Sequence, residues 1–63
     1  MTEAEFLALP RWGTLAIALE KRDFSNAERV ADVLYGAAPP NTGIQNTLYH
    51  LAELCQDLDK VWR

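Results

Sequence analysis

The chain has very few of the residues that form disulfides or metal sites in small proteins: among its 63 residues there is one Cys and one His. A lone Cys55 cannot close an internal disulfide, and no cluster of His and Cys has the spacing that a zinc site needs. A domain of this length buries only about 60% of the surface that its unfolded chain exposes. We therefore expect neither a metal nor a cofactor, and self-association is the remaining route to extra stability.

Positive charge is also scarce, with six Lys and Arg against nine Asp and Glu and a formal net charge of -3. The six are scattered along the chain: Arg11, Lys21, Arg22, Arg29, Lys60 and Arg63. Affinity for nucleic acid depends on basic side chains that neutralise backbone phosphates. The charge balance therefore disfavours nucleic acid as a partner.

The sequence has no apolar run that could cross a membrane. The longest stretch without formal charge, from Val33 to Ala52, contains Pro39, Pro40 and two glycines, which exclude a spanning helix. Near the N-terminus, Glu3 and Glu5 stand where a secretory signal would carry positive charge. We expect no membrane association and a cytoplasmic location.

What the chain does have is helix-start signals, in which a Ser or Thr is followed three residues later by Glu or Gln. The pairs are Thr2 with Glu5, Ser25 with Glu28, and Thr42 with Gln45. The alternation of apolar and polar residues that predicts strands is missing. The expected fold class is all-α.

Three helices are predicted within one domain over residues 1–63. The first runs from Glu3 to Lys21 or Arg22, and Pro10 either kinks it or ends a short helix before a second begins. The second covers residues 26–35, with Gly36 as its C-terminal cap, and the third covers residues 43–61. The expected architecture is a three-helix bundle or an orthogonal helical array, with the first helix kinked near Pro10.

The third helix carries the strongest pattern, a heptad seam with alternating spacings of four and three. Its members are Ile44, Leu48, Leu51, Cys55, Leu58 and Trp62. Leu54 and Val61 widen the apolar stripe, which suits a helix that faces two neighbours. We expect Cys55 to be buried and structural, and truncation of Leu51 or Leu58 to be among the most damaging changes. Whether Trp12 and Trp62 belong to the core or to an interface stays open.

Residues 25–54 resemble the helix-turn-helix of winged-helix regulators, through "SNAERVADVL" followed by "NTLYHLAEL". The resemblance implies that the second segment reads DNA. Two departures count against this function: the connector is longer than the usual turn, and the would-be recognition helix has no Lys or Arg before Lys60.

Shorter pieces are similar to the small haemolysin-expression modulators of enterobacteria, namely "TLAIALEK", "VLYGAA", "LAEL" and a Val-Trp pair. Those proteins are helical and act by attaching to a nucleoid protein. The pieces align only with gaps, and Pro39 and Pro40 stand where that family has a charged stretch, so membership does not follow.

Catalytic residues are not indicated. His50 has Glu53 one turn away, but a base also needs a pocket, and both side chains are expected to face solvent. We therefore expect a protein that is not an enzyme and that acts as an adaptor or regulator by binding another protein or itself, possibly as a homodimer. The predicted partner-binding residues are Gln45, Asn46, Tyr49, His50 and Glu53, placed opposite the seam. The alternative is a helix-turn-helix DNA-binding regulator.

Overall fold

The computed structural model describes residues 1–40 and 43–62. Its first helix, α1, spans Glu3–Leu7 and begins with the predicted capping box. The Glu5 backbone N–H donates to Thr2 Oγ1, and the Thr2 N–H donates to Glu5 Oε1, both at 3.2 Å. Each side chain thus satisfies a backbone donor that the first helical turn would leave without a partner.

A break separates α1 from the second helix, α2, which spans Arg11–Glu20. The single first helix with a kink is therefore wrong, and the alternative of a short helix followed by a second one is what the structure has. Proline explains the break, because Pro10 has no N–H to donate to the carbonyl of Phe6. That carbonyl instead accepts the Leu9 N–H at 3.2 Å and the indole Nε1–H of Trp12 at 3.0 Å.

The turn that follows α2 contains a residue with an unusual backbone conformation. Arg22 has φ 58°, a left-handed conformation that is normally left to glycine. The N–H of Arg22 reaches the Leu19 carbonyl at 3.1 Å, and the N–H of Asp23 reaches the Ala18 carbonyl at 2.9 Å. This pair of bonds is a Schellman motif, and it turns the chain sharply into the next helix.

The third helix, α3, spans Phe24–Ala37 and is longer at both ends than predicted. Its N-cap is Asp23, whose side chain accepts from the Asn26 N–H, so the predicted cap at Ser25 is wrong. Gly36 is not the C-terminal cap either, because it lies inside the helix. Termination comes at Ala38, which is extended as the residue before a proline tends to be.

The fourth helix, α4, spans Gly43–Trp62 and confirms the predicted long helix. Its predicted cap pairs Thr42 with Gln45, and Thr42 lies outside the described residues. Four helices and no strand occur in the described part of the chain, which confirms the all-α class with one helix more than expected. Among these residues, no helix is both long and apolar enough to cross a membrane.

Packing centres on α3, which makes its main contacts with α4 on one side and with α2 on another. Helices α3 and α4 run antiparallel, since Tyr35 contacts Tyr49 while Glu28 lies beside Gln56. The Cα extents of 37 × 20 × 13 Å show that the helices form a thin array. The buried core consists of Phe6, Leu15, Ala18, Phe24, Ala27, Val30, Ala31, Leu34, Leu48 and Cys55.

The seam of α4 is buried unevenly. Leu48 and Cys55 are 1% and 0% exposed, which confirms that Cys55 is buried, but Leu51 and Leu58 are only half-buried at the core edge. That truncation of Leu51 or Leu58 is among the most damaging changes stays a prediction, and the deeper burial of Leu48 adds the expectation that its truncation costs more. Leu54 and Val61 are 54% and 78% exposed, so the described residues do not supply, on their side of α4, the second neighbour that the widened stripe predicted.

Trp12 belongs to the edge of the core. Its ring meets Phe6 edge-on at 5.7 Å, and its indole N–H is held by the Phe6 carbonyl. Both contacts link the start of α2 to α1, so Trp12 holds the two helices together across the break at Pro10.

Candidate functional site

A shallow groove of about 320 Å³ runs between α3 and α4. It is lined by Glu28 and Asp32 from α3 and by Tyr49, Ala52, Glu53 and Gln56 from α4. The spacing of four places Glu28 and Asp32 on one face of α3, and the same spacing places Tyr49 and Glu53 on one face of α4. The antiparallel packing brings these two faces together, so three acidic residues and one half-exposed tyrosine line the same groove.

Tyr49 lies near two other aromatic rings. Its ring lies 6.1 Å from that of Tyr35 and 5.8 Å from that of His50, measured between ring centroids. A hydrogen bond to Glu53, followed by the negative charge of the same carboxylate, raises the pKa of the Tyr49 phenol. Tyr49 is nevertheless 50% exposed, which leaves much of the ring open to a ligand.

The structure divides the five predicted partner-binding residues. Tyr49 and Glu53 line the groove, and Gln45 is half-buried one turn before Tyr49. Asn46 and His50 are exposed on the far side of α4. The placement of His50 on the surface is confirmed, but the prediction that all five lie opposite the packed side is wrong, because Tyr49 contacts α3.

Glu28 and Asp32 were not identified as candidate site residues from the sequence. Their spacing of four predicts that they share one face of α3, but the sequence does not show which helix packs beside that face. A second missed feature is a groove of about 520 Å³ where the α1–α2 break meets α3, lined by Leu9, Pro10, Arg11, Thr14, Val33 and Ala37. It exists because the chain leaves helical geometry before Pro10.

Three rows of mainly apolar side chains run along α4, and the positions in each row repeat every seven residues. The inner row is Leu48 and Cys55, the middle row is Ile44, Leu51 and Leu58, and the outer row is Thr47, Leu54 and Val61. Burial falls steadily from the inner row to the outer row, whose Leu54 and Val61 are mostly exposed. The Thr47 hydroxyl donates to the Gly43 carbonyl at 2.8 Å, so its polar atom is already satisfied within the helix.

The one thiol in the chain is poorly suited to nucleophilic chemistry. Burial raises the pKa of Cys55, and the nearby charge of Glu28 raises it further, so the reactive thiolate is disfavoured. Within the described residues, no group of three or more His, Cys, Asp and Glu side chains is placed to hold a metal ion. The arrangement offers recognition surfaces, namely an acidic groove with an aromatic centre and an open apolar row.

No protein family, no curated protein and no solved structure matches this chain. Its likeness to winged-helix regulators and to haemolysin-expression modulators therefore remains one of short motifs.

Proposed function

We propose that this protein is a small non-enzymatic interaction module that binds another protein through the acidic groove between α3 and α4. The observation that carries the proposal is a groove that the half-exposed Tyr49 lines together with three acidic residues, Glu28, Asp32 and Glu53. Tyrosine is enriched in protein interfaces because it combines a large apolar face with a polar tip.

The groove's charge defines the partner's chemistry. Three carboxylates favour Lys or Arg side chains, and the Tyr49 ring can also stack against an Arg guanidinium or the stem of a Lys. The expected ligand is therefore a basic segment of a protein. The same carboxylates repel phosphate, which disfavours the alternative of a helix-turn-helix DNA-binding regulator. A buried free thiol suits a reducing compartment, so the proposal places the protein in the cytoplasm.

A binding experiment tests this function. Proteins captured by the immobilised chain from cells of its source are identified, and their affinity is then measured calorimetrically at several salt concentrations. Tyr49→Ala and Asp32→Lys should each weaken binding at least about tenfold, since they remove the aromatic contact and reverse a groove charge. Glu3→Lys is the control, because it makes the same charge change on α1, outside the groove.

The competing function is tested in parallel with random duplex DNA at low salt. Duplex binding that Tyr49→Ala abolishes would replace the protein-binding proposal with the DNA-binding one. Equal affinity of wild type and both groove variants for the captured protein would remove the groove from the proposal.

A further inference from the structure

The described residues of this fold leave the outer row of α4 mostly uncovered, since Leu54 and Val61 are 54% and 78% exposed. Together with the middle row it gives Ile44, Thr47, Leu51, Leu54, Leu58 and Val61, which alternate spacings of three and four throughout. That alternation is the pattern by which one helix packs along another. The inner row already serves α3, so α4 presents one seam inward and a second seam outward.

We propose that the outward seam pairs with the same seam of a second copy, with the two α4 helices antiparallel. In an antiparallel pair, each middle-row residue faces an outer-row residue of the other helix. One register satisfies every layer: Leu51 meets Leu54 of the second copy, Ile44 meets Val61, and Leu58 meets Thr47. Each contact between two residues therefore occurs twice, once in each direction between the copies, as a two-fold symmetric interface requires.

The side chains beside the seam select the second copy as occupant, because an imidazole can donate a hydrogen bond to a carboxylate. His50 and Asp57 flank the outer row on its exposed side, seven residues apart and therefore about 10 Å apart along one helix. In the register that matches the apolar layers, His50 of one copy lies across from Asp57 of the other, and the reciprocal pair forms by symmetry. A parallel pairing would place the inner-row positions, which are occupied by α3, opposite these two residues.

Thr47 fits this contact despite its hydroxyl. The hydroxyl donates to the Gly43 carbonyl, so the methyl group can pack against Leu58 of the second copy without burying an unsatisfied polar atom. The dimer contact lies on the opposite flank of α4 from Tyr49, and it goes beyond the proposed binding of a basic partner segment.

Sedimentation equilibrium of the full chain over roughly a hundredfold concentration range tests the pairing. Wild type should show a monomer–dimer equilibrium, and Leu54→Glu should raise the dissociation constant about a hundredfold or more, because the dimer would bury two charges in apolar layers. Ile17→Glu is a matched control, since Ile17 on α2 is also 54% exposed. Val61→Glu is a second variant, and because Val61 is largely exposed, the fold of the monomer should tolerate the change.

Charge reversal tests the register. His50→Glu alone should raise the dissociation constant by about three- to tenfold, because it places two carboxylates opposite each other. The double variant His50→Glu with Asp57→Lys should return the value to near that of wild type. Rescue is expected only in the antiparallel register, since the two positions are two turns apart within one helix.

Any one of four results would overturn the proposal. A monomer at every concentration would rule out the pairing, and a dimer that survives both Leu54→Glu and Val61→Glu would place self-association on another surface. Dependence on Leu54 without charge rescue would refute the antiparallel register, and a helix from a different protein that binds the seam would replace the second copy as occupant. The groove variants Tyr49→Ala and Asp32→Lys test partner binding separately, so either proposal can fail while the other stands.

Discussion

Helices α3 and α4 differ in how their length relates to their burial. The 14 residues of α3 include five buried side chains, because α2 and α4 cover it on two sides. The 20-residue α4 has the more regular heptad pattern, yet its fully buried side chains are Leu48 and Cys55. A helix's pattern shows which side is apolar, whereas the number of neighbours decides how much of that side is buried.

The comparison also separates stability from recognition. At about 1.5 Å per residue, α3 is about 21 Å long and α4 about 30 Å, so α3 can cover only part of its neighbour. The buried surface of α3 supports the fold, and the uncovered surface of α4 is available to other molecules. Variants of the two helices should therefore have different effects.

The largest effect is expected when core residues of both helices are truncated. Leu34→Ala in α3 and Leu48→Ala in α4 should each cost about 2 to 5 kcal/mol, because both side chains are almost fully buried. Leu54→Ala, the matched change in the outer row of α4, should cost less than about 1 kcal/mol in the monomer. Thermal or urea melts at low protein concentration measure the difference, and equal losses at Leu48 and Leu54 would refute the contrast between the rows.

A smaller effect concerns the start of α3. Asp23→Ala should cost about 1 kcal/mol, because the side chain that accepts the Asn26 N–H is lost. Ser25→Ala is the control and should change stability by less than about 0.5 kcal/mol, since Ser25 lies inside the helix. The reverse order in urea melts would restore Ser25 as the cap.

A substitution in the turn between α2 and α3 should increase the stability of the protein. Arg22→Gly should stabilise the protein by about 0.5 to 1 kcal/mol, because glycine adopts φ 58° without the steric cost of a side chain. Arg22 Nη1 also donates to the Glu20 carbonyl at 2.8 Å, so Arg22→Ala is needed as the control that removes this bond alone. A glycine variant no more stable than the alanine variant would show that the backbone there is not strained.

The smallest effect is a pH dependence at α1, far from the contrast between α3 and α4. Hydrogen bonds from the backbone and hydroxyl of Thr2 lower the pKa of Glu5 from its ordinary value of 4.5. A lowered folded pKa means that this stabilisation is present above pH 4.5 and is lost as pH falls through the folded value. Glu5→Gln should therefore flatten the acid limb of melting temperature against pH, and Glu3→Gln is the same-turn control. An unchanged acid limb in Glu5→Gln would show that the capping box is not formed in solution.

Local features of the fold were predictable wherever neighbouring residues decide them. The capping box at Thr2, the interruption at Pro10 and the extent of α4 follow from hydrogen bonds and backbone sterics within a few residues. The cap of α3 was missed because both Asp23 and Ser25 are good capping residues, and the Schellman turn at Arg22 decides between them. Nothing in the sequence marks Arg22 as left-handed.

The candidate site was predictable only in part. Tyr49 and Glu53 were identified from the polar character of α4, but Glu28 and Asp32 join them through a contact between residues that are distant in the sequence. The exposed outer row shows the same limit, because Leu54 and Val61 look like core residues until the neighbours of α4 are known.

The sequence by itself therefore determined the helical class, the place where the first helix breaks and the apolar side of α4, because periodicity, proline and capping act over a few residues. The tertiary structure decided which part of that apolar side is buried and which acidic residues line a groove with Tyr49. The physical reason is that burial and charge clustering depend on which helices come to lie side by side, and α3 alone packs extensively against α4 among the described helices.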